Sequence, residues 1–244
     1  MEIVTHASKK RRAITPALLF LLLSAAEFLV FYLFILFFSA YSGYYVYFVQ
    51  RTVLLTLLVA ASVTVYKTAK NTGEIILHSA LISATRGIFF IPFFYLEFLS
   101  NALYDSIDAI LLSLLASAVA VVIHAAIVTA ISIIIKSVCI KRGMSENEIA
   151  RPTDFKSPFA GTVLIISFAI AIINFLIELV TAIIFVAESN GLLFIGEAIY
   201  IVISLLFPIL MLASIYFISI LITMWVSKLL SHKSDRSIEE IENN

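Results

Sequence analysis

Residues 73–100 read GEIILHSALISATRGIFFIPFFYLEFLS, and this stretch decides the class of fold. It is apolar and long enough to cross a bilayer as a helix, which takes about 20 residues. Arg86 nevertheless stands close to its middle. A guanidinium at that depth costs at least about 2.5–3.5 kcal/mol on insertion scales unless it is paired or hydrated. We therefore expect the other membrane-spanning segments to offer Arg86 polar partners.

The composition of the whole chain is that of a membrane protein. Of its 244 residues, 62% are hydrophobic and 13% are charged, whereas soluble domains are about 45–50% apolar. The mean hydropathy is +1.09. The single cysteine, Cys139, excludes an internal disulfide, and no Cys/His spacing indicates zinc. We expect no cofactor, no metal and no nucleic-acid partner; membrane topology accounts for the short basic clusters.

Six segments of the chain are long and apolar enough to span a bilayer. Two begin with a hydroxyl residue followed by proline, Thr15-Pro16 and Ser157-Pro158, which is typical of a helix N-cap and first turn. We therefore predict an all-α polytopic membrane helix bundle between a basic tail (1–13) and a polar tail (228–244). The transmembrane domain covers 14–227, with predicted spans at 14–39, 47–66, 75–100, 108–135, 159–187 and 197–227.

The first span resembles a signal peptide in its basic start, Lys9 to Arg12, and in the small residues Ser24-Ala25-Ala26. Its apolar run continues through Phe38, however, and the apolar core of a cleaved signal has only about 7–15 residues. We therefore predict an uncleaved helix.

The basic residues are distributed asymmetrically across the predicted spans. The N-terminal tail holds four Lys and Arg, the connections after spans two and four hold two and five, and the C-terminal tail holds three. All of these lie on one side of a six-span protein, while the other side has only Arg51. The positive-inside rule then places both termini in the cytoplasm. We expect a multi-pass protein of the cell membrane.

Two further features each allow two interpretations. Aromatic residues crowd the predicted outer boundary at 37–48 and 89–98; they form either an interfacial belt or a roof over a binding site. The longest connection, 141–156, has mixed charges and Pro152. It is either a solvated linker or a docking surface for a cytoplasmic or membrane partner protein.

Five polar residues fall near the predicted midplane of the bilayer. They are Glu27 in span one, Arg86 in span three, His124 in span four, and Asn174 and Glu178 in span five. Serines at helical spacing extend the polar faces, as Ser79 and Ser83 do before Arg86. We expect Arg86 to pair with Glu27 or Glu178. The cluster is either an ion pair that fixes helix register or the lining of a proton or solute pathway, with His124 as a group that titrates near neutral pH.

The motifs of common enzymes are missing from the sequence. There is no Gly-x-Ser-x-Gly, no His-Glu-x-x-His and no Walker A, although a glutamate and a histidine in a membrane remain capable of acid–base chemistry. We predict a small transporter or permease subunit that moves a small solute or protons through the midplane cluster. The alternative is a membrane scaffold or assembly partner, surrounded by lipid, whose buried charges only hold the helices together.

Overall fold

The computed structural model describes residues 2–38, 43–100, 106–144, 155, 157–188 and 211–229. The regular structure in these ranges is entirely α-helical. Each of the six helices contains a segment long and apolar enough to cross a membrane, which confirms the predicted fold class and number of spans. The helices are α1 (Glu2–Phe38), α2 (Gly43–Thr68), α3 (Thr72–Ser100), α4 (Ser106–Lys141), α5 (Pro158–Glu188) and α6 (Met211–Leu229).

The two predicted proline starts have different outcomes. Helix α5 begins at Pro158, and the Ala160 N–H donates to Ser157 Oγ at 3.2 Å, which confirms the predicted cap. Helix α1 begins at Glu2 instead, and Pro16 lies inside it, so the predicted cap at Thr15 is wrong. Residues 2–12 are rich in good helix formers and contain no glycine. The helix therefore continues through the proline, with the loss of one backbone hydrogen bond.

Helices α2 and α3 are joined by a connection of only three residues, 69–71. Asn71 Oδ1 caps α3 by accepting the Glu74 N–H at 2.9 Å, and Glu74 Oε2 accepts the Lys70 N–H at 2.8 Å. This arrangement resembles a capping box, except that the glutamate accepts from the residue before the N-cap. A buried contact of 3.0 Å between Thr68 Oγ1 and His78 Nδ1 then ties the end of α2 to the first turns of α3.

Helix α2 is the centre of the described bundle. In its membrane-spanning segment 67% of the residues are buried, against 22% in α4. One apolar cluster joins α2 to α4, α5 and α6, and a second joins it to α1, α3, α4 and α6. The α2 residues in these clusters are Leu57, Leu58, Val59, Ala60, Ala61, Val63, Val65 and Tyr66.

Helix α3 packs most extensively against α4 and next against α1. The helices α3 and α4 approach closely at Gly87, where a Cβ atom would lie 2.2 Å from Val121 Cγ2. Only a residue without a side chain fits this contact. Arg86, on α3, therefore lies between α1 and α4, the two helices that pack most against α3.

Candidate functional site

Of the two predicted partners of Arg86, Glu27 and Glu178, the structure shows a contact with Glu27. Arg86 Nη2 donates to Glu27 Oε2 at 2.7 Å, which joins α3 to α1. The Arg86 side chain is 1% exposed and that of Glu27 is 15% exposed. The pairing confirms the expectation drawn from the desolvation cost of a guanidinium, and it leaves the carboxylate as the more accessible partner.

His124 holds the other side of the guanidinium. Arg86 Nη1 lies 3.0 Å from His124 Nε2, and Ser83 Oγ lies 2.8 Å from His124 Nδ1. Arginine is always protonated and only donates, so Nε2 must accept. The imidazole is consequently neutral and carries its proton on Nδ1, which donates to Ser83 Oγ.

This hydrogen-bond chain gives Glu27 and His124 different capacities for protons. A second proton on His124 would occupy Nε2, break the bond from Arg86 and place two cations side by side. A proton on Glu27 would instead remove one charge and weaken the hydrogen bond from Arg86, whose acceptor becomes a neutral carbonyl oxygen. The carboxylate is therefore the group at this centre best able to accept a proton, and His124 acts chiefly as a neutral clamp on Arg86.

The surroundings of the ion pair differ on its two sides. Toward the C-terminal ends of α1 and α3 lie aromatic rings: Phe28 and Phe89 have centroids 6.2 Å apart, and Arg86 Cζ lies 5.9 Å from the centroid of the Phe90 ring. Toward the N-terminal ends lie the buried serines Ser24 and Ser79. The charge centre, formed by Glu27, Arg86 and His124, thus has aromatic rings toward the C-terminal ends of α1 and α3 and two buried serines toward their N-terminal ends.

Several buried polar atoms have no hydrogen-bond partner among the described residues. The charge centre itself contains one of them, Arg86 Nε, so the guanidinium is not saturated by Glu27 and His124. Such atoms are uncommon in native proteins, and each calls for an explanation such as a bound water or ligand. The others are Ser24 Oγ, Thr64 Oγ1, Ser79 Oγ, Ser117 Oγ and Ser167 Oγ.

The two predicted site residues on α5 have no described contact with Arg86. Asn174 is 4% exposed on the buried face of α5 that also carries Ser167 and Ala171. Glu178 follows one turn later, and its side chain lies outside the described residues. Helix α5 packs against α4 and α2. The hydrogen bonds described for Arg86 go to α1 and α4 alone.

Reasoning from the sequence overlooked Gly87. The glycine allows α3 and α4 to approach at the position next to Arg86, and it thereby brings Arg86 within reach of His124. A glycine next to an intramembrane arginine was a usable signal, because small residues in spanning helices commonly mark close helix contacts.

Metal-binding geometry is absent from the described ranges, where no three His, Cys, Asp or Glu side chains are grouped to hold an ion. Comparisons with protein-family models, curated proteins and solved structures find no match to this chain.

Proposed function

We propose that this protein is a small multi-pass transporter or permease subunit of the cell membrane, with both termini in the cytoplasm. A small solute or protons move through the polar centre formed by Glu27, Arg86 and His124. The observation that carries the proposal is the incomplete saturation of Arg86: a buried guanidinium with an unpartnered Nε beside a partly exposed carboxylate. Asn174 and Glu178 are proposed to line the same pathway from α5.

The free-energy cost of burying the ion pair between Glu27 and Arg86 supports a role beyond packing. Replacing a buried ion pair by well-packed apolar residues is often neutral or stabilising by about 1–4 kcal/mol. A pair that serves only to hold α1 against α3 is therefore an inefficient device. Ionisable groups at this depth more commonly mark the route of an ion, a proton or a solute.

The proposed working step begins at Glu27. Protonation of the carboxylate leaves Arg86 without its counter-ion, while His124 still accepts from Nη1. Nη2 then donates only to a neutral carbonyl oxygen and Nε has no partner among the described residues, so the cation attracts water or a solute that carries a carboxylate or another acceptor group. Loss of the proton restores the ion pair and releases that acceptor. Glu27 and the transported species thus compete for one cation.

The test needs no knowledge of the solute. The purified protein is reconstituted into vesicles that contain a pH-sensitive dye, and the proton flux is measured under an imposed membrane potential. The expected result is a flux above that of empty vesicles, which Glu27→Gln abolishes because an amide keeps the shape of the carboxylate but cannot carry a proton. Asp108→Asn is the matched control, since Asp108 is an exposed carboxylate in the first turn of α4.

The two variants also separate transport from damage to the fold. Glu27→Gln should retain most of its folded amount, because the amide oxygen still accepts from Arg86 Nη2. A flux that is equal in wild type, Glu27→Gln and empty vesicles would contradict the proposal for protons. If uptake screening identifies a solute, the flux of that solute is then compared between the wild type and Asn174→Ala.

A scaffold or assembly partner is the second candidate. It is favoured by the interlocked contacts of the charge centre, where Arg86, Ser83 and His124 are all at most 6% exposed, together with the close approach at Gly87. In that case the charges specify which helices meet, and the connection 141–156 is the proposed contact for a partner protein. Glu27→Gln would then reduce partner binding without any change in ion or solute movement.

A further inference from the structure

We infer that one end of the bundle binds the phosphate of an anionic phospholipid. The site lies where the C-terminal ends of α2 and α4 meet the first turn of α5. Its cations are Lys67, in the last turn of α2, and Arg142, the residue that follows α4. Both contact the first turn of α5, through Phe159 and Thr162 respectively. The inference does not depend on transport through the charge centre, because a scaffold can hold the same lipid.

The end of α4 fixes the backbone at Arg142. The Gly143 N–H donates to the Ile140 carbonyl at 3.0 Å. The Met144 N–H donates to the Cys139 carbonyl at 3.1 Å. Gly143 has a φ of 68°, so these two bonds form a Schellman motif with the glycine in its left-handed position. Arg142 immediately precedes that glycine, and its backbone is therefore part of a regular helix end.

The Arg142 guanidinium lies against the first turn of α5 with most of its donors unused. Nη1 donates to Thr162 Oγ1 at 3.3 Å, and a Cβ atom at Gly161 would lie 3.3 Å from the same nitrogen. Within the described ranges Arg142 makes no ion pair and no other side-chain hydrogen bond, although a guanidinium has five N–H donors. The side chain is exposed, so these donors are open to a ligand from outside the protein.

Lys67 reaches the same turn of α5 from α2. Its Nζ lies 5.0 Å from the centroid of the Phe159 ring. Phe159 is one turn before Thr162 on the same face of α5, and Thr162 is the residue that Arg142 contacts. The buried thiol of Cys139 lies near enough to Lys67 and Arg142 to interact electrostatically with both. The two cations, from different helices, are thus brought together around one turn.

The charges at this turn favour an anion. Lys67 and Arg142 are each favourable at the C-terminal end of their own helix. Their charged groups nevertheless repel each other, and they lie at the positive N-terminal end of α5, whose first turn contains no acidic residue. A phosphate relieves both repulsions. An arginine binds two of its oxygens side by side, and a lysine adds a compact positive charge.

The location of the cations selects a lipid as the source of the phosphate. The three helices that form the site all contain membrane-spanning segments, and basic pockets between such helices bind lipid head groups. The adjoining surface is apolar, since Ile140 is 63% exposed and Leu164 is 43% exposed. The acyl chains of a lipid can cover these side chains while its phosphate binds the cations. A soluble phosphate compound would gain nothing from the apolar surface.

Native mass spectrometry of the purified protein, with lipid added in detergent, measures the binding directly. The probes are phosphatidylglycerol, which is anionic, and phosphatidylcholine, whose choline cation the site repels. We expect the wild type to bind phosphatidylglycerol about 30-fold more tightly, since each cation near the head group contributes about 1 kcal/mol. Equal binding of the two lipids would overturn the inference, and this comparison needs no variant to fold.

Two double variants separate a specific site from general attraction to a basic surface. Lys67→Gln with Arg142→Gln should remove the preference for phosphatidylglycerol. Lys70→Gln with Lys141→Gln removes the same charge next to the same ends of α2 and α4, at two exposed side chains, and should keep the preference within about threefold because exposed charges are screened. An equal loss in both double variants would overturn the inference.

A competition experiment distinguishes a lipid from a soluble phosphate. Ammonium phosphate in large excess is added to the complex with phosphatidylglycerol, and ammonium acetate of equal ionic strength is the control. The lipid should stay bound in both solutions, because its acyl chains add contacts that inorganic phosphate lacks. Displacement by phosphate alone would assign the site to a soluble phosphate compound and overturn the inference. Neither result depends on whether the protein moves protons.

Discussion

Replacement of Gly87 by alanine is the most direct probe of the packing that forms the charge centre. The added Cβ would lie 2.2 Å from Val121 Cγ2, where ordinary van der Waals contact begins at 3.4 Å. The overlap of 1.2 Å, which is the difference between these two distances, must be relieved by a movement. Valine is stiff in a helix, with one strongly preferred χ1 rotamer. The simplest relief is therefore separation of α3 from α4.

The magnitude follows from the overlap and from the hydrogen bond nearby. Overpacking of a well-packed contact costs about 1–3 kcal/mol. Separation of α3 from α4 at Gly87 also pulls the adjacent Arg86 Nη1 away from His124 Nε2, which lies 3.0 Å from it. The bond is then lost, and hydrogen bonds to charged groups contribute about 1.5–3 kcal/mol. We expect a total destabilisation of about 2.5–6 kcal/mol from these two contributions.

Unfolding of the purified protein in detergent, followed by circular dichroism during heating and during denaturant titration, measures this loss. The second variant, Gly87→Ala with Val121→Ala, removes the clashing methyl and should recover most of the stability. Gly73→Ala is the control: it lies in the same helix, and its Cβ would meet only Asn71 Oδ1, at 3.4 Å. That change should be neutral or slightly stabilising, because alanine is the better helix former by about 1 kcal/mol.

Two outcomes would refute the reasoning. Stability of Gly87→Ala equal to that of Gly73→Ala would mean that α3 and α4 do not approach as described. Failure of Val121→Ala to rescue Gly87→Ala would mean that the loss arises elsewhere. Rescue of stability without rescue of the Arg86–His124 bond, seen in the histidine NMR signals, would separate the packing contribution from the electrostatic one.

The remaining predictions concern the ion pair, a helix cap and the topology. Arg86→Ala should reduce the folded yield, because it leaves the Glu27 carboxylate buried and unpaired, and Glu27→Leu with Arg86→Met should restore the yield; a double variant as poor as the single one would contradict this. Ser157→Ala should destabilise by about 0.5–2 kcal/mol in thermal melts through loss of the α5 cap, while Ser137→Ala, at an exposed hydroxyl, should not. In a Cys139→Ser background, single cysteines at three predicted outer positions should react with an impermeant maleimide in intact cells: Gly43, Asn101 and Asn190. No reaction at two of the three would refute the orientation.

Depth in the membrane was predictable from the sequence because it depends on counting along each span. Glu27, Arg86 and His124 lie at similar depths in their predicted spans, and the structure brings all three into one hydrogen-bonded chain. The faces of the helices were predictable as well, since a period of three to four residues aligns Ser79 and Ser83 with Arg86. The free-energy cost of removing the Arg86 guanidinium from water then predicted an acidic residue next to it.

The choice of partner was not predictable from the same reasoning. Glu27 and Glu178 were both candidates, with Glu178 about one turn farther toward the predicted outside. The selection of Glu27 reflects the packing of α3 beside α1, which one sequence does not reveal. The chemical state of His124 was also inaccessible, because a histidine in an apolar segment is neutral or charged according to its neighbours. Here an arginine donor at Nε2 makes it neutral.

The burial of α2 corrects the emphasis that the sequence placed on the arginine-containing span. Of the six membrane-spanning segments, the one in α2 is the least apolar and the most buried, at 67%, and the one in α4 is the most apolar and the least buried, at 22%. The contrast between these two extremes follows from the solvent: lipid accepts the most apolar surfaces, so the centre of a bundle collects the helix with small and hydroxyl residues. Ser132 Oγ of α4 and Ser219 Oγ of α6 both lie within hydrogen-bonding distance of α2 carbonyl oxygens, at 3.0 and 3.5 Å. The charge centre is held by other helices: the hydrogen bonds described for Arg86 join α3 to α1 and α4, while α2 supplies the polar, closely packed contacts with α4 and α6.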